Sequence, residues 1–264
     1  MELVQQAFPV FLLIFCRITS FFVVAPVLST RGVPPTFKVG LGFFVSLLVY
    51  LTYGASESVD TGAEYLLLVV REVLAGLLLG FVAYLFFSVV QTAGAFIDLQ
   101  MGFGMANIID PVTGTSAPMM GNFKYMLLTL IFLSLNGHHY LLSALMRSYE
   151  WIPLDNRLFA RMADGSMADF LARAFSETFL LALQLSAPIV VAMFLTDVGL
   201  GFLAKTAPQY NVFVIGMPIK IIVGFLILIL LIPGFTALFG SLFADMFEAL
   251  ESLLNLVSRS ASTG

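Results

Sequence analysis

Few side chains in this sequence could be built into chemistry: two adjacent histidines, His138 and His139, one cysteine, Cys16, and four ionisable residues within or beside apolar runs, Arg17, Asp197, Lys205 and Lys220. A membrane zinc protease would need two histidines four residues apart on one helix face, with a glutamate as base. Neighbouring residues on a helix point about 100° apart, so His138 and His139 do not offer that geometry. Two histidines without a nearby carboxylate are also too few ligands for a metal. Serine chemistry finds no support either, because Gly114-Thr-Ser-Ala117 makes a poor nucleophile elbow. No glycine-rich phosphate loop with its lysine is present, so nothing suggests nucleotide hydrolysis. The sequence therefore yields no catalytic residue, no cofactor and no metal ligand, and Cys16 reads as a small buried hydrophobe. Charge at membrane depth marks either a pathway or a pairing. Structural ion pairs, or snorkelling at segment ends, are the simpler accounts of Arg17, Asp197, Lys205 and Lys220.

The most unusual stretch is Gln91–Gly121, which contains Gly94, Gly102, Gly104, Gly114 and Gly121, Pro111 and Pro118, and Met101, Met105, Met119 and Met120. It is too apolar for a solvated loop and too broken for one transmembrane helix. Irregular backbone at membrane depth survives only where protein covers it or where it lines a cavity. Two readings stand at this point: a pore-lining loop, gate or plug, and an ordinary loop folded over the bundle.

The elements that must position these residues follow from composition. Of 264 residues, 60% are hydrophobic and 11% charged, with a net charge of −4 and a mean hydropathy of +1.01. A soluble domain carries about a quarter charged residues, so lipid or a large hydrophobic assembly must cover this chain. The absence of a basic surface speaks against nucleic acid. No basic residue precedes Arg17, which is unlike a cleaved signal peptide, so the first apolar run is expected to be retained. A bilayer crossing takes roughly 20 apolar residues. By that measure six helical segments are expected, near Phe8–Val27, Val39–Tyr53, Leu66–Val90, Phe123–Leu145, Phe175–Leu195 and Val212–Phe239, the last leading into an amphipathic tail that ends near Ser258. The fold class is an all-α membrane protein.

With six spans, Arg71, Arg147, Arg157, Arg161, Arg173 and Arg259 share the side of both termini, against Arg31, Lys38, Lys124, Lys205 and Lys220 on the other. That bias favours cytoplasmic termini only slightly. Pro188 and Pro233 interrupt the last two segments and predict a kinked helical hairpin, with Thr206-Ala-Pro-Gln-Tyr-Asn211 as its turn. Gly76-Leu-Leu-Leu-Gly80 predicts a close helix contact.

Three runs carry a family likeness: Met101-Gly-Phe-Gly-Met-Ala-Asn-Ile-Ile-Asp-Pro111, Leu135-Asn-Gly-His-His139, and Leu200-Gly-Phe-Leu-Ala-Lys-Thr-Ala-Pro-Gln-Tyr-Asn-Val-Phe-Val-Ile-Gly-Met-Pro218. Together they resemble the FliR family of flagellar export-gate proteins, related to the T subunit of virulence type III secretion systems, and the likeness covers essentially the whole chain. The resemblance implies a FliP-like N-terminal part, residues 1–168, and a FliQ-like kinked helical hairpin with its tail, residues 169–264. It implies a pore loop, or plug, at about residues 103–122. Carried onto this sequence, that loop includes Phe103, Met105, Ile108, Ile109, Asp110, Pro111, Met119 and Met120. The hairpin turn and its packing would involve Lys205, Pro208, Gln209, Asn211, Pro218 and Lys220. The loop's Gly/Thr/Ser-rich composition departs from some relatives, so the plug transfers as a region.

Implied partners are FliP- and FliQ-type subunits, with one FliR-type subunit per complex, and FlhB- and FlhA-type components. Exported unfolded polypeptides would be the cargo. The implied location is the bacterial inner membrane at the flagellar basal body. Two other classes remain at this stage. A small-solute secondary transporter would show paired broken helices with ionisable residues converging at the midplane. A structural scaffold of a membrane complex would never touch an exported chain.

Overall fold

A computed structural model describes residues 2–30, 32–54, 59, 62, 64–103, 119–152 and 165–258. Its elements are α1 (Glu2–Val24), α2 (Pro35–Val49), one π-helical turn (Tyr50–Gly54), α3 (Tyr65–Met101), α4 (Met119–Ser134), α5 (Gly137–Trp151), α6 (Ser166–Thr206) and α7 (Val212–Ser258). No strand occurs among the described residues. Five helices are long and apolar enough to cross a membrane, or six if α4 and α5 form one broken span.

Local sequence explains the ends. Pro35 opens α2 where its missing N–H costs nothing. Gly102, at φ +90°, stops α3 in a left-handed conformation that other residues resist. The expected single segment Phe123–Leu145 is corrected: it breaks between α4 and α5, where Asn136 takes φ +56°. Asparagine followed by glycine suits such a reversal, because a short polar side chain tolerates the left-handed region. By contrast, Pro188 in α6 and Pro218 and Pro233 in α7 lie inside continuous helices. The last helix ends at Ser258, so the expected tail continues it without a break.

The chain forms two compact units: residues 1–85, 136–175 and 243–264 make the first, and residues 86–135 and 176–242 the second. In the first, α1 buries Val10, Leu13, Ile14, Ile18, Phe21 and Phe22, a stripe at helical spacing. Gly76 and Gly80 of α3 lie against that helix. A Cβ on Gly76 would overlap the Arg17 carbonyl oxygen and Ser20 Oγ, and one on Gly80 would press the Phe21 carbonyl at 3.1 Å. The close contact expected from the small-residue spacing is therefore between α3 and α1. In the second unit Phe87 of α3 packs edge-on to Phe132 of α4 at 5.1 Å, and Phe96 meets Phe179 of α6 at 6.3 Å.

Much apolar surface stays uncovered by the chain itself. Phe44 and Leu48 on α2, Phe194, Leu195 and Phe202 on α6, and Leu226, Ile229 and Leu230 on α7 are all exposed. Lipid or neighbouring subunits must cover such a surface.

Candidate functional site: the anchors of the pore loop

The first unit holds a buried ionic cluster. Arg17 on α1 donates to both carboxylate oxygens of Glu72 on α3, at 2.5 and 3.0 Å. Arg71 also donates to Glu72, and all three side chains are fully buried. The same Arg17 guanidinium donates to the Ser148 carbonyl and hydroxyl, both at 3.1 Å, and to the Ile152 carbonyl at 2.9 Å. Those carbonyls lie at the C-terminal end of α5, where the helix dipole favours a cation, and the Ser148 carbonyl also accepts the Ile152 N–H at 2.8 Å. Tyr149 adds a ring 4.1 Å from the guanidinium carbon and donates its hydroxyl to the Ile14 carbonyl. Arg17 is thus a structural pairing, not a lone charge on a path. Arg71 and Lys124, counted above on opposite sides, are both buried within helices. The charge count loses one residue from each side, and the slight bias stays.

The second unit holds both described ends of the expected plug. Met101 closes α3 and Gly102 turns the chain away, leaving Phe103 half-buried. Met119 begins α4 exposed, and Met120 is buried one residue later. Met105, Ile108, Ile109, Asp110 and Pro111 lie outside the described residues. Two contacts tie the loop's return to α3. Both carboxylate oxygens of Asp98 accept the Met120 N–H, at 3.1 Å each. This places a buried anion at the N-terminus of α4, where first-turn amides lack partners and the dipole is positive. Four residues earlier on α3, Gly94 lies so close to Gly121 that a Cβ would overlap the Gly121 backbone. At the loop's departure, Met101 packs on Gly224 of α7, where an added Cβ would come within 2.5 Å of the methionine methyl. Flexible thioethers suit such irregular gaps. The described residues on either side of 104–118 are therefore held in one packed frame of α3, α4 and α7.

The hairpin residues lie in the same unit, and α7 brings Met217, next to Pro218, within 4.0 Å of where a Cβ on Gly102 would stand. Lys205 lies exposed in the last turn of α6, and Pro208 and Gln209 are exposed in the turn. Asn211 caps α7, its Oδ1 accepting the Phe213 and Val214 N–H groups at 3.1 and 3.4 Å. Pro218 falls within the second turn of α7. Lys220 of α7 pairs with Asp197 of α6 at 2.6 Å, a link across the hairpin.

His138 and His139 lie in the first turn of α5 with rings 4.2 Å apart, closer than ideal helical angles suggest. Sequence reasoning missed Glu72, Asp98 and Lys124 as buried partners. Only their position inside apolar runs could have flagged them.

Comparison with known proteins supplies the family. Residues 8–246 match the family model described as "Bacterial export proteins, family 1". The chain is 41% identical over 257 residues to the flagellar biosynthetic protein FliR of Bacillus subtilis, covering 97% of this chain and 99% of the relative. It is 32% identical to FliR of Escherichia coli over 239 residues, 90% of each chain. It is 33% identical to the Yop proteins translocation protein T of Yersinia pestis, over 87% of this chain and 88% of that one. The chain thus belongs to family 1 of the bacterial export proteins, as a FliR-family membrane protein of the type III export apparatus.

Proposed function

We propose that this chain forms part of the wall of a flagellar export channel and closes it with the loop of residues 103–122. It acts in the bacterial inner membrane at the flagellar basal body, beside FliP- and FliQ-type subunits and FlhB- and FlhA-type components, and unfolded polypeptides are its cargo. Within it, residues 1–168 act as the FliP-like part and residues 169–264 as the FliQ-like hairpin. The chain itself catalyses nothing, and energy comes from other components. The observation that carries the proposal is the anchorage just described. A Gly-, Pro- and Met-rich stretch is bounded by Gly102 on one side and by the Asp98–Met120 and Gly94–Gly121 contacts on the other. Fixed ends on both sides of residues 104–118 let the closure yield to an extended chain and return to one place. The exposed apolar faces of α2, α6 and α7 offer partner subunits a surface to cover. Solute transport gains no support from the family match, whose relatives are named for flagellar biosynthesis and protein translocation.

The test is to replace residues 104–118 with a short Gly-Ser bridge in cells expressing the full gate. Ion leakage should rise several-fold with the gate assembled to wild-type level. Unchanged conductance would sink the gating proposal.

A further inference from the structure

Lys124 is among the largest fully buried side chains of the protein, 1% exposed, and its Nζ has no hydrogen-bond partner. Burying a lysine ammonium is costly, and an uncompensated one is the most costly case. Two features surround it. The Phe235 ring of α7 lies 5.4 Å from Nζ, within cation–π range. The other feature is Asp98, itself 4% exposed. Lys124 stands one helical turn after Met120, the residue whose N–H Asp98 accepts. Helical side chains lean toward the N-terminus of their helix, which carries the ammonium back toward the turn that Asp98 caps.

The geometry assigns Lys124 a positioning role: its buried ammonium compensates the buried Asp98 carboxylate, and the two together fix the first turn of α4 against α3. Asp98 alone would satisfy the orphan amide but leave an unpaired anion in the core. Lys124 alone would be an unpaired cation. Held together, they fix the start of α4, the point at which the described chain resumes after residue 118. The consequence for leakage rests on the loop-gating proposal, whereas the pairing itself does not.

A charge-deletion cycle on the purified export complex tests the pair. Lys124→Met leaves the carboxylate uncompensated. Asp98→Asn leaves the ammonium uncompensated but keeps an oxygen for the Met120 N–H. Each single change should lower the Tm of the complex by roughly 5 °C. The double variant, with no buried charge left, should lose clearly less than the sum and be no worse than either single. Additive losses, or a Lys124→Met complex as stable as wild type, would overturn the assignment. Leakage is read in parallel in cells. Both singles should leak at wild-type abundance if the loop gates. If the Tm cycle shows coupling but neither the singles nor the loop replacement leaks, the pairing stands and the gating proposal falls.

Discussion

Glu72→Gln should prevent the protein from accumulating in the membrane, the largest effect expected of any single change. Glu72 is the acceptor shared by Arg17 and Arg71, and all three are fully buried. Removing its charge takes from both buried guanidiniums the carboxylate they share. Breaking a buried pair from one side costs about 3–5 kcal/mol, against a total stability of about 5–15 kcal/mol. Arg17→Met should be milder in charge terms, because it leaves the Arg71–Glu72 pair in place. Its cost would instead fall on the end of α5, where the Ile152 carbonyl loses the guanidinium and the Ser148 carbonyl keeps only the Ile152 N–H. Immunoblots of membrane fractions should rank wild type above Arg17→Met, and Arg17→Met above Glu72→Gln. Equal levels of all three would mean that the cluster contributes little.

The second large effect is expected at Gly94. Even Gly94→Ala places a methyl on the Gly121 backbone, which cannot swing aside as a flexible side chain would. Overpacking of this kind costs about 1–3 kcal/mol, and here the strain must be relieved by moving the start of α4. That movement pulls Met120 away from Asp98. Gly94→Ala should therefore leak ions like the loop replacement while still assembling, and Gly94→Leu should fail to assemble. Tight closure in Gly94→Ala would mean that the α3–α4 contact does not control the loop.

The apolar segments, their helical state and the end of the last helix near Ser258 were legible because hydropathy and caps are local signals. The break at Asn136 was missed even though Asn-Gly stands in the sequence, since the apolar run on either side outweighed a two-residue turn signal. Gly76 and Gly80 were legible as a packing motif, but their partner was not. Gly94 and Gly121 lie 27 positions apart, and nothing local announces their contact. The same limit hid the charge pairs. Arg17 and Glu72 are 55 residues apart, and Asp98 and the Met120 N–H it accepts are 22 apart, so Arg17, Glu72 and Asp98 each looked like an isolated charge. Arg71 and Lys124 fell inside the expected segments Leu66–Val90 and Phe123–Leu145 and were counted only as charges on one side or the other. In the folded chain Arg71 is buried against Glu72, and Lys124 is buried with its ammonium over the Phe235 ring.

The central claim is that this chain lines the path of an exported polypeptide, and a crosslink tests it most directly. A cysteine at Thr113, in the middle of the loop and in a Cys16→Ala background, is challenged with an export substrate stalled by a folded C-terminal domain and carrying single cysteines along its length. A disulfide between Thr113→Cys and the stalled chain, absent when the substrate lacks its export signal, is the predicted result. No crosslink at any substrate position, with the gate assembled and the substrate stalled within it, would contradict the claim and leave the protein as a scaffold.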